Sequence, residues 1–345
     1  MKSSTIFKTV SFRIPARFSP SPVAPWPIGG EFDRWLGEEL DNLHPGGHRV
    51  KPCTSATWVL RALDMAVATQ RKTMELIAAR ADTFRGSADR KWIDDYLNNL
   101  VELLDACNII RERIATVMKY TESVSFALHS LGGGRVLTES ALIRARVALS
   151  SCESMERVSE LDRCAPSLRK LGEKLAQGVA LSACGVAKPC SDVTQCSSEL
   201  QEALSASKSA TLLVCGLLSI SLSFKSKRGL PATQLTQSRK AESWSNSLHE
   251  LQKLVKEEVD KQRKGGGPVL DELRSTVVMV RDLRGLIQRP ADEVSRSELR
   301  GRVESLGRSC GVLEEGIKMF EGRVNELYKH LISIRMALLG VLTMA

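Results

Sequence analysis

The sequence lacks the short motifs that identify common reactions. It has no GxGxxG, GxxxxGK[ST], HExxH or GxSxG segment, which excludes the usual nucleotide-binding, zinc-protease and serine-hydrolase signatures. No helix-turn-helix, zinc-finger or RNA-binding signature accompanies the net charge of +9, and basic residues beyond the N-terminal segment are interspersed with acidic ones. We therefore predict a protein that is not an enzyme, with no catalytic residue, metal site or cofactor, and no binding to nucleic acid.

Paired cysteines are also missing. The nine cysteines form no CxxC, and no secretory signal precedes them, so we expect reduced thiols and no disulfide framework. Cys184, Cys190 and Cys196 are evenly spaced and could hold a soft metal, but zinc ligands are usually paired more closely. His44 and His48 flank a Gly-Gly turn and could share a metal. For both groups we prefer a solvated loop without a role.

Aromatic residues are scarce, at 5%, and β-branched runs of strand length are few. Leucine, alanine, serine and glutamate are plentiful, and this balance favours helices over strands. We predict an all-α protein, an elongated bundle of long antiparallel helices. Turn and linker signals divide it at 44–52, 131–135, 184–190, 227–231, 264–268 and 288–290.

The C-terminal segment carries the most regular pattern in the chain. Apolar residues alternate at spacings of four and three, which is a heptad repeat. Ile317 and Phe320 lie in the middle of this stripe and are predicted to be buried. The helix either packs within the chain, which we prefer, or self-associates through residues 299–341 as a coiled coil. The stripe consists of Leu299, Val303, Leu306, Cys310, Leu313, Ile317, Phe320, Val324, Leu327, Leu331, Ile334, Leu338 and Val341.

The segment KWIDDYLNNLVELLDACN, residues 91–108, combines acids with leucines. On a helix, Asp94, Asp95 and Glu102 share one polar arc and the rest of the circumference is apolar. DDYLN resembles the aspartate-rich motif that holds magnesium diphosphate in isoprenoid synthases. That chemistry also needs a second acidic motif and an aromatic cavity, and neither is visible in the sequence. We therefore predict that these acids are solvated and that the helix is central.

The N-terminal segment differs from the rest of the chain. Residues 1–30 contain four basic residues, no acidic residue and a proline-rich stretch. This composition is typical of an organelle transit peptide or of a disordered arm. Residues 31–345 are predicted to form a single helical domain with a weak break near 184–196. The protein would lie in a plastid or mitochondrion if the arm is a transit peptide, and otherwise in the cytoplasm or at endomembranes.

Residues 209–224 form a run of sixteen residues without a charge. A membrane-spanning helix needs about twenty, so a buried core helix is the first interpretation. Membrane contact through 209–228 is the alternative, because Lys225, Lys227 and Arg228 could sit on anionic lipid.

Two segments resemble a known family. KWIDDYLNNLVELLDACNIIRERI, followed by SVSFALHSL, resembles the plant BYPASS-related family over residues 91–131. The resemblance extends more loosely to 55–70, to 209–224 and to the heptad helix.

The resemblance implies a helical plant protein with no established enzymatic activity and no defined site residues. It suggests a regulator or scaffold that acts through protein contacts in root and shoot development, by restraining a root-derived mobile signal. The alternatives are an adaptor for exocytic vesicle tethering and a helical enzyme or carrier for a small apolar metabolite. The protein partners cannot be named from the sequence.

Overall fold

A computed structural model describes residues 31–44, 52–80, 87–132, 138–158, 192–225, 230, 243–289 and 295–344. These residues form helices connected by turns and contain no strand, which confirms the all-α prediction. The helices are α1 (Glu31–Leu43), α2 (Ala56–Arg80), α3 (Ser87–Gly132), α4 (Glu139–Val158), α5 (Asp192–Ser221), α6 (Ser243–Lys264), α7 (Asp271–Ile287) and α8 (Arg296–Met344).

The two longest helices, α3 and α8, form the axis of the molecule. They run antiparallel, because Cys310 lies against the Thr121 carbonyl while Tyr328 lies under the guanidinium of Arg111. At 49 residues, α8 is about 70 Å long. The predicted heptad stripe faces inward, and Ile317 and Phe320 are fully buried. Val303 is the one stripe residue that is only partly buried.

Two groups of helices pack along this axis. In the first, α2 and α5 join α3 and α8, and we call these four helices the α5 bundle. In the second, α4 and α7 join the same two long helices, and we call these the α4 bundle. Helix α1 packs against α2 and α6, and α6 also contacts α5.

Not every neighbouring pair is antiparallel. Arg323 pairs with Asp64 at 2.8 Å and Glu326 pairs with Arg71 at 3.2 Å, so residue numbers rise together along α2 and α8. These two helices are therefore parallel. The hydroxyl of Thr276 lies 3.0 Å from that of Ser309, and Arg302 pairs with Asp282, so α7 runs antiparallel to α8.

The opposite directions of α2 and α7 bring their N-termini together midway along α8. The Asp271 amide donates to the Thr54 carbonyl at 3.0 Å, and the Thr54 hydroxyl donates to the Asp271 carboxylate at 2.9 Å. Glu272 accepts from the Ala56 amide at 2.9 Å. Because both N-termini carry partial positive charge, these two acids supply the negative charge that the junction needs. A Cβ on Gly316 of α8 would lie only 3.3 Å from the Cβ of Ala56, so glycine permits this close approach.

Two local features of the fold depend on nearby residues alone. The Ser55 hydroxyl accepts from the Trp58 amide at 3.3 Å and caps the start of α2. The predicted break at 264–268 is a turn in which Gly266 has a φ of 73°, a conformation that favours glycine. Residues 1–30, the predicted break at 184–190 and the basic cluster at 226–228 lie outside the described residues.

Candidate functional site

The acidic motif of α3 lies where the helical pattern predicts. Asp94 and Asp95 are exposed and Glu102 is half-buried. Tyr96, which directly follows Asp95 in the sequence, is buried. Within the described ranges, no group of three or more His, Cys, Asp or Glu side chains is arranged to hold a metal ion. The structure therefore brings no second acidic motif of the described chain to Asp94 and Asp95.

The motif instead meets a lysine on α5. The Lys208 ammonium lies 5.8 Å from the centre of the Tyr96 ring. Burial lowers the pKa of Lys208 to about 8, although the nearby Asp95 carboxylate favours the charged form. Burial also raises the pKa of the Tyr96 phenol. Lys208 is thus a partly desolvated amine at the edge of the α3–α5 contact, a position the sequence marks only as the residue before an uncharged run.

The apolar run that follows Lys208 belongs to the core. Leu200–Ser221 is, within the described residues, the one segment long and apolar enough to cross a membrane, and 89% of its 18-residue window is buried inside the protein. Gln70 of α2 donates to the Thr211 hydroxyl at 2.7 Å, which ties the two buried helices by an uncharged hydrogen bond. This burial favours the core interpretation of residues 209–224 over insertion in a membrane.

A buried charged group lies in the α4 bundle. The Tyr120 hydroxyl donates to Glu156 Oε1 at 3.1 Å, and Arg281 donates to Oε2 through Nε at 3.1 Å and Nη2 at 2.7 Å. Glu156 is only 6% exposed, and its carboxylate is satisfied on both oxygens. Burial, followed by the charge of Glu156, raises the pKa of Tyr120 well above its ordinary value. Tyr120 therefore stays protonated and acts as a hydrogen-bond donor, not as a base.

Further arginine contacts fasten α4 to α7. Glu153 pairs with Arg284 at 2.5 Å. Arg146 donates to the Ile287 carbonyl at 3.1 and 2.8 Å, where it satisfies a C-terminal carbonyl of α7. Together with Glu156–Arg281, these contacts hold α4 along one side of α7 by charge-assisted hydrogen bonds.

Two thiols sit beside this group. Cys152 Sγ lies 3.9 Å from the Tyr120 carbonyl, and Cys310 Sγ lies 3.6 Å from the Thr121 carbonyl. Burial raises the pKa of Cys152 to about 12 and also raises that of Cys310. Since the thiolate is the form that attacks electrophiles and binds metals, these protonated thiols are inert packing groups.

An open groove of about 480 Å³ lies between α7 and the first turns of α8. Its lining combines Met279 with small and charged residues of α8: Ser297, Glu298, Gly301, Arg302 and Ser305. Asp94 is not part of this lining.

The remaining candidates from the sequence are only partly described. His44 follows α1 and is half-buried, while His48 lies outside the described residues. Cys184 and Cys190 also lie outside them, and Cys196 falls within α5. The structure therefore does not test the proposed groupings of these residues.

Comparisons with known proteins identify relatives in plants. A family model described as Protein BPS1 matches residues 76–341. UPF0496 protein 4 of Oryza sativa subsp. japonica is 29% identical over 236 residues, which cover 66% of this chain and 46% of the relative. Protein ROH1D of Arabidopsis thaliana is 26% identical over 345 residues, covering 88% of this chain and 85% of the relative.

A further relative is named Protein BPS1, chloroplastic, from Arabidopsis thaliana. It is 25% identical over 299 residues, covering 85% of this chain and 79% of the relative. The chain spans about half the length of the rice relatives that it matches. No solved structure matches the chain.

Proposed function

The chain belongs to the BPS1 family of plant proteins, and from this membership we propose that it is a regulatory protein of root and shoot development that acts through contacts with other proteins. The observation that carries the proposal is the family match over residues 76–341. The described core agrees with a scaffold, because leucine, isoleucine and phenylalanine side chains fill the stripe of α8.

The proposal excludes catalysis at the two positions where the chain could most plausibly support it. These are the exposed carboxylates Asp94 and Asp95 and the partly desolvated amine of Lys208. If the protein were an enzyme that used either group, replacing that group would abolish its activity. If it is a scaffold, the same replacement should leave its function intact as long as the variant folds.

A complementation experiment separates the two cases. Plants lacking the gene would receive the wild-type chain, Asp94→Asn/Asp95→Asn, Lys208→Met or the core variant Phe320→Ala. We expect root and shoot defects that are rescued by the first three and not by Phe320→Ala. Failure of a folded Asp94→Asn/Asp95→Asn or Lys208→Met protein to rescue would support an enzyme. Normal growth without the gene would contradict the developmental role.

We also propose that residues 1–30 direct the protein to the plastid. The support is their basic, acid-free composition and the chloroplastic name of one relative. A fluorescent protein fused to residues 1–30 should accumulate in plastids. A diffuse signal would contradict import and would leave a cytosolic or membrane-bound regulator.

A further inference from the structure

The last turns of α8 are apolar on the outside as well as the inside. Leu331, Ile334 and Leu338 are buried in the core. Ile332, Met336 and Leu339 lie at i, i+4 and i+7 and are 38%, 63% and 37% exposed. We call these three exposed residues the tip face. Three large apolar side chains exposed together on one side of a helix form a candidate contact surface for protein or lipid.

The charge pattern of α8 changes at the same place. Residues 296–326 contain as many acidic as basic side chains, and several of them pair along the helix, as Arg300 does with Glu304 and Lys318 with Glu314. Residues 327–345 contain no aspartate or glutamate, and their basic side chains are Lys329, His330 and Arg335. The tip face is therefore adjacent to cationic groups and to no carboxylate of its own helix.

One exposed apolar residue of α3 lies at the same level along the bundle. The register of the two helices, with Arg111 over Tyr328 and Cys310 against Thr121, places Val101 level with Met336. Val101 is 37% exposed. Asp94, Asp95 and Asp105 are exposed on the same half of α3 and would oppose an anionic surface, although Asp95 interacts with Lys208 on the α5 side.

From these observations, we propose that the tip face docks on an anionic lipid surface. Ile332, Met336 and Leu339 enter the headgroup region, and Lys329 and Arg335 lie near lipid phosphates, as in other interfacial helices that combine an apolar face with basic residues. The helix lies on the surface and does not span the bilayer, because its opposite side is committed to the core. This surface is distinct from the buried run at 209–221.

Flotation of the full chain with vesicles tests the proposal. The vesicles are phosphatidylcholine alone, or phosphatidylcholine with about a third phosphatidylglycerol. The tip variant is Ile332→Ser/Met336→Ser/Leu339→Ser, and the matched control is Val312→Ser/Met319→Ser, which removes two exposed apolar side chains elsewhere on α8. Melting curves establish that both variants fold. All the proteins keep the basic segments 1–30 and 225–228. Any vesicle binding by those segments is therefore the same in each protein and does not account for a difference between them.

We expect the wild type and the control to float with the anionic vesicles, and the tip variant to bind at least about tenfold more weakly. Lys329→Gln/Arg335→Gln should reduce the preference for anionic over neutral vesicles. Equal binding by the tip variant and the control, or no binding by the wild type, would overturn the proposal. A third outcome would also overturn it: the wild type does not float but forms a concentration-dependent dimer, and the tip variant does not. The tip face would then join two copies of the chain.

Discussion

The α5 bundle and the α4 bundle share α3 and α8 but hold their other helices by different forces. Helix α5 is buried along its apolar run and meets α2 through uncharged hydrogen bonds such as Gln70 to Thr211. Helix α4 offers mainly alanine and leucine to the core and is fastened to α7 by Arg146, Arg281 and Arg284. Sodium chloride screens charged contacts, whereas it does not weaken the burial of apolar side chains. We therefore expect α4 to be the more easily released helix.

The largest effect is expected on α8, the helix that both bundles share. Phe320 is fully buried in α8, so Phe320→Ala should lower the free energy of unfolding by about 3–5 kcal/mol. The neighbouring Met319 is 40% exposed, and Met319→Ala should change it by no more than about 0.5 kcal/mol. Urea unfolding of both variants measures the difference. Equal midpoints would mean that the stripe does not face a packed core.

A smaller loss is expected from the buried carboxylate of the α4 bundle. Glu156→Gln keeps the size of the side chain but removes the charge that Arg281 and Tyr120 contact, and should cost about 1–3 kcal/mol. Arg281 is 45% exposed and stays partly hydrated, which limits the loss. Glu304→Gln, in the exposed pair with Arg300, is the control and should cost less than about 0.5 kcal/mol. Equal losses of unfolding free energy in the two variants would show that the buried pair stabilises the protein no more than the exposed pair does.

The α5 bundle contains the opposite case, a charge whose burial destabilises the fold. The pKa of Lys208 is lowered to about 8 in the folded protein, whereas an unfolded lysine titrates near 10.4. Below about pH 8 the lysine is protonated in both states and the folded protein bears the cost of burying its charge, so Lys208→Met should stabilise the protein by about 1–2 kcal/mol at pH 7.

This advantage of Lys208→Met should shrink as the pH rises from 8 to 10, because the folded wild type then releases the proton while the unfolded chain still holds it, so the cost of burying the charge is progressively lost. The protonated Cys152 thiol, whose pKa is raised to about 12 by burial, makes both proteins less stable as the pH rises past about 9, where the unfolded thiol ionises. The difference between the variant and the wild type isolates Lys208. A difference that does not change with pH would show that its charge is solvated.

The smallest effect is expected on the exposed arc of α3. Asp94→Asn/Asp95→Asn should change the free energy of unfolding by no more than about 0.5 kcal/mol, because both carboxylates are solvated. Differential scanning calorimetry with and without magnesium checks this. A loss of several kcal/mol, or a magnesium-dependent melting temperature that the substitution abolishes, would show that these acids form a site.

The sequence predicts the features that depend on helical period alone. The heptad stripe identifies Phe320 as buried, and the polar arc identifies Asp94 and Asp95 as exposed. The Ser55 cap and the glycine turn near Gly266 are local as well. Each of these depends on residues a few positions apart, so the sequence contains all the information that they require.

Contacts between distant segments could not be predicted in the same way. Glu156 meets Arg281 and Asp95 lies near Lys208 only because of how the helices are arranged, and helical period does not determine that arrangement. The parallel direction of α2 and α8 is a further example, since short connections favour antiparallel neighbours and α2 is far from α8 in sequence. Likewise, nothing in the sequence near Gly316 indicates that this glycine permits the close approach of the start of α2.

Hydrogen exchange of the native protein at low and high sodium chloride tests the difference between the two bundles most directly. Amides of α4 between residues 142 and 152 should exchange faster at high salt, because screening weakens the contacts of Glu153 and Glu156 with α7. Amides of α5 between 204 and 218 should keep their protection, because burial of apolar side chains holds that helix. Equal salt dependence in α4 and α5, or loss of protection in α5 first, would contradict the proposed difference.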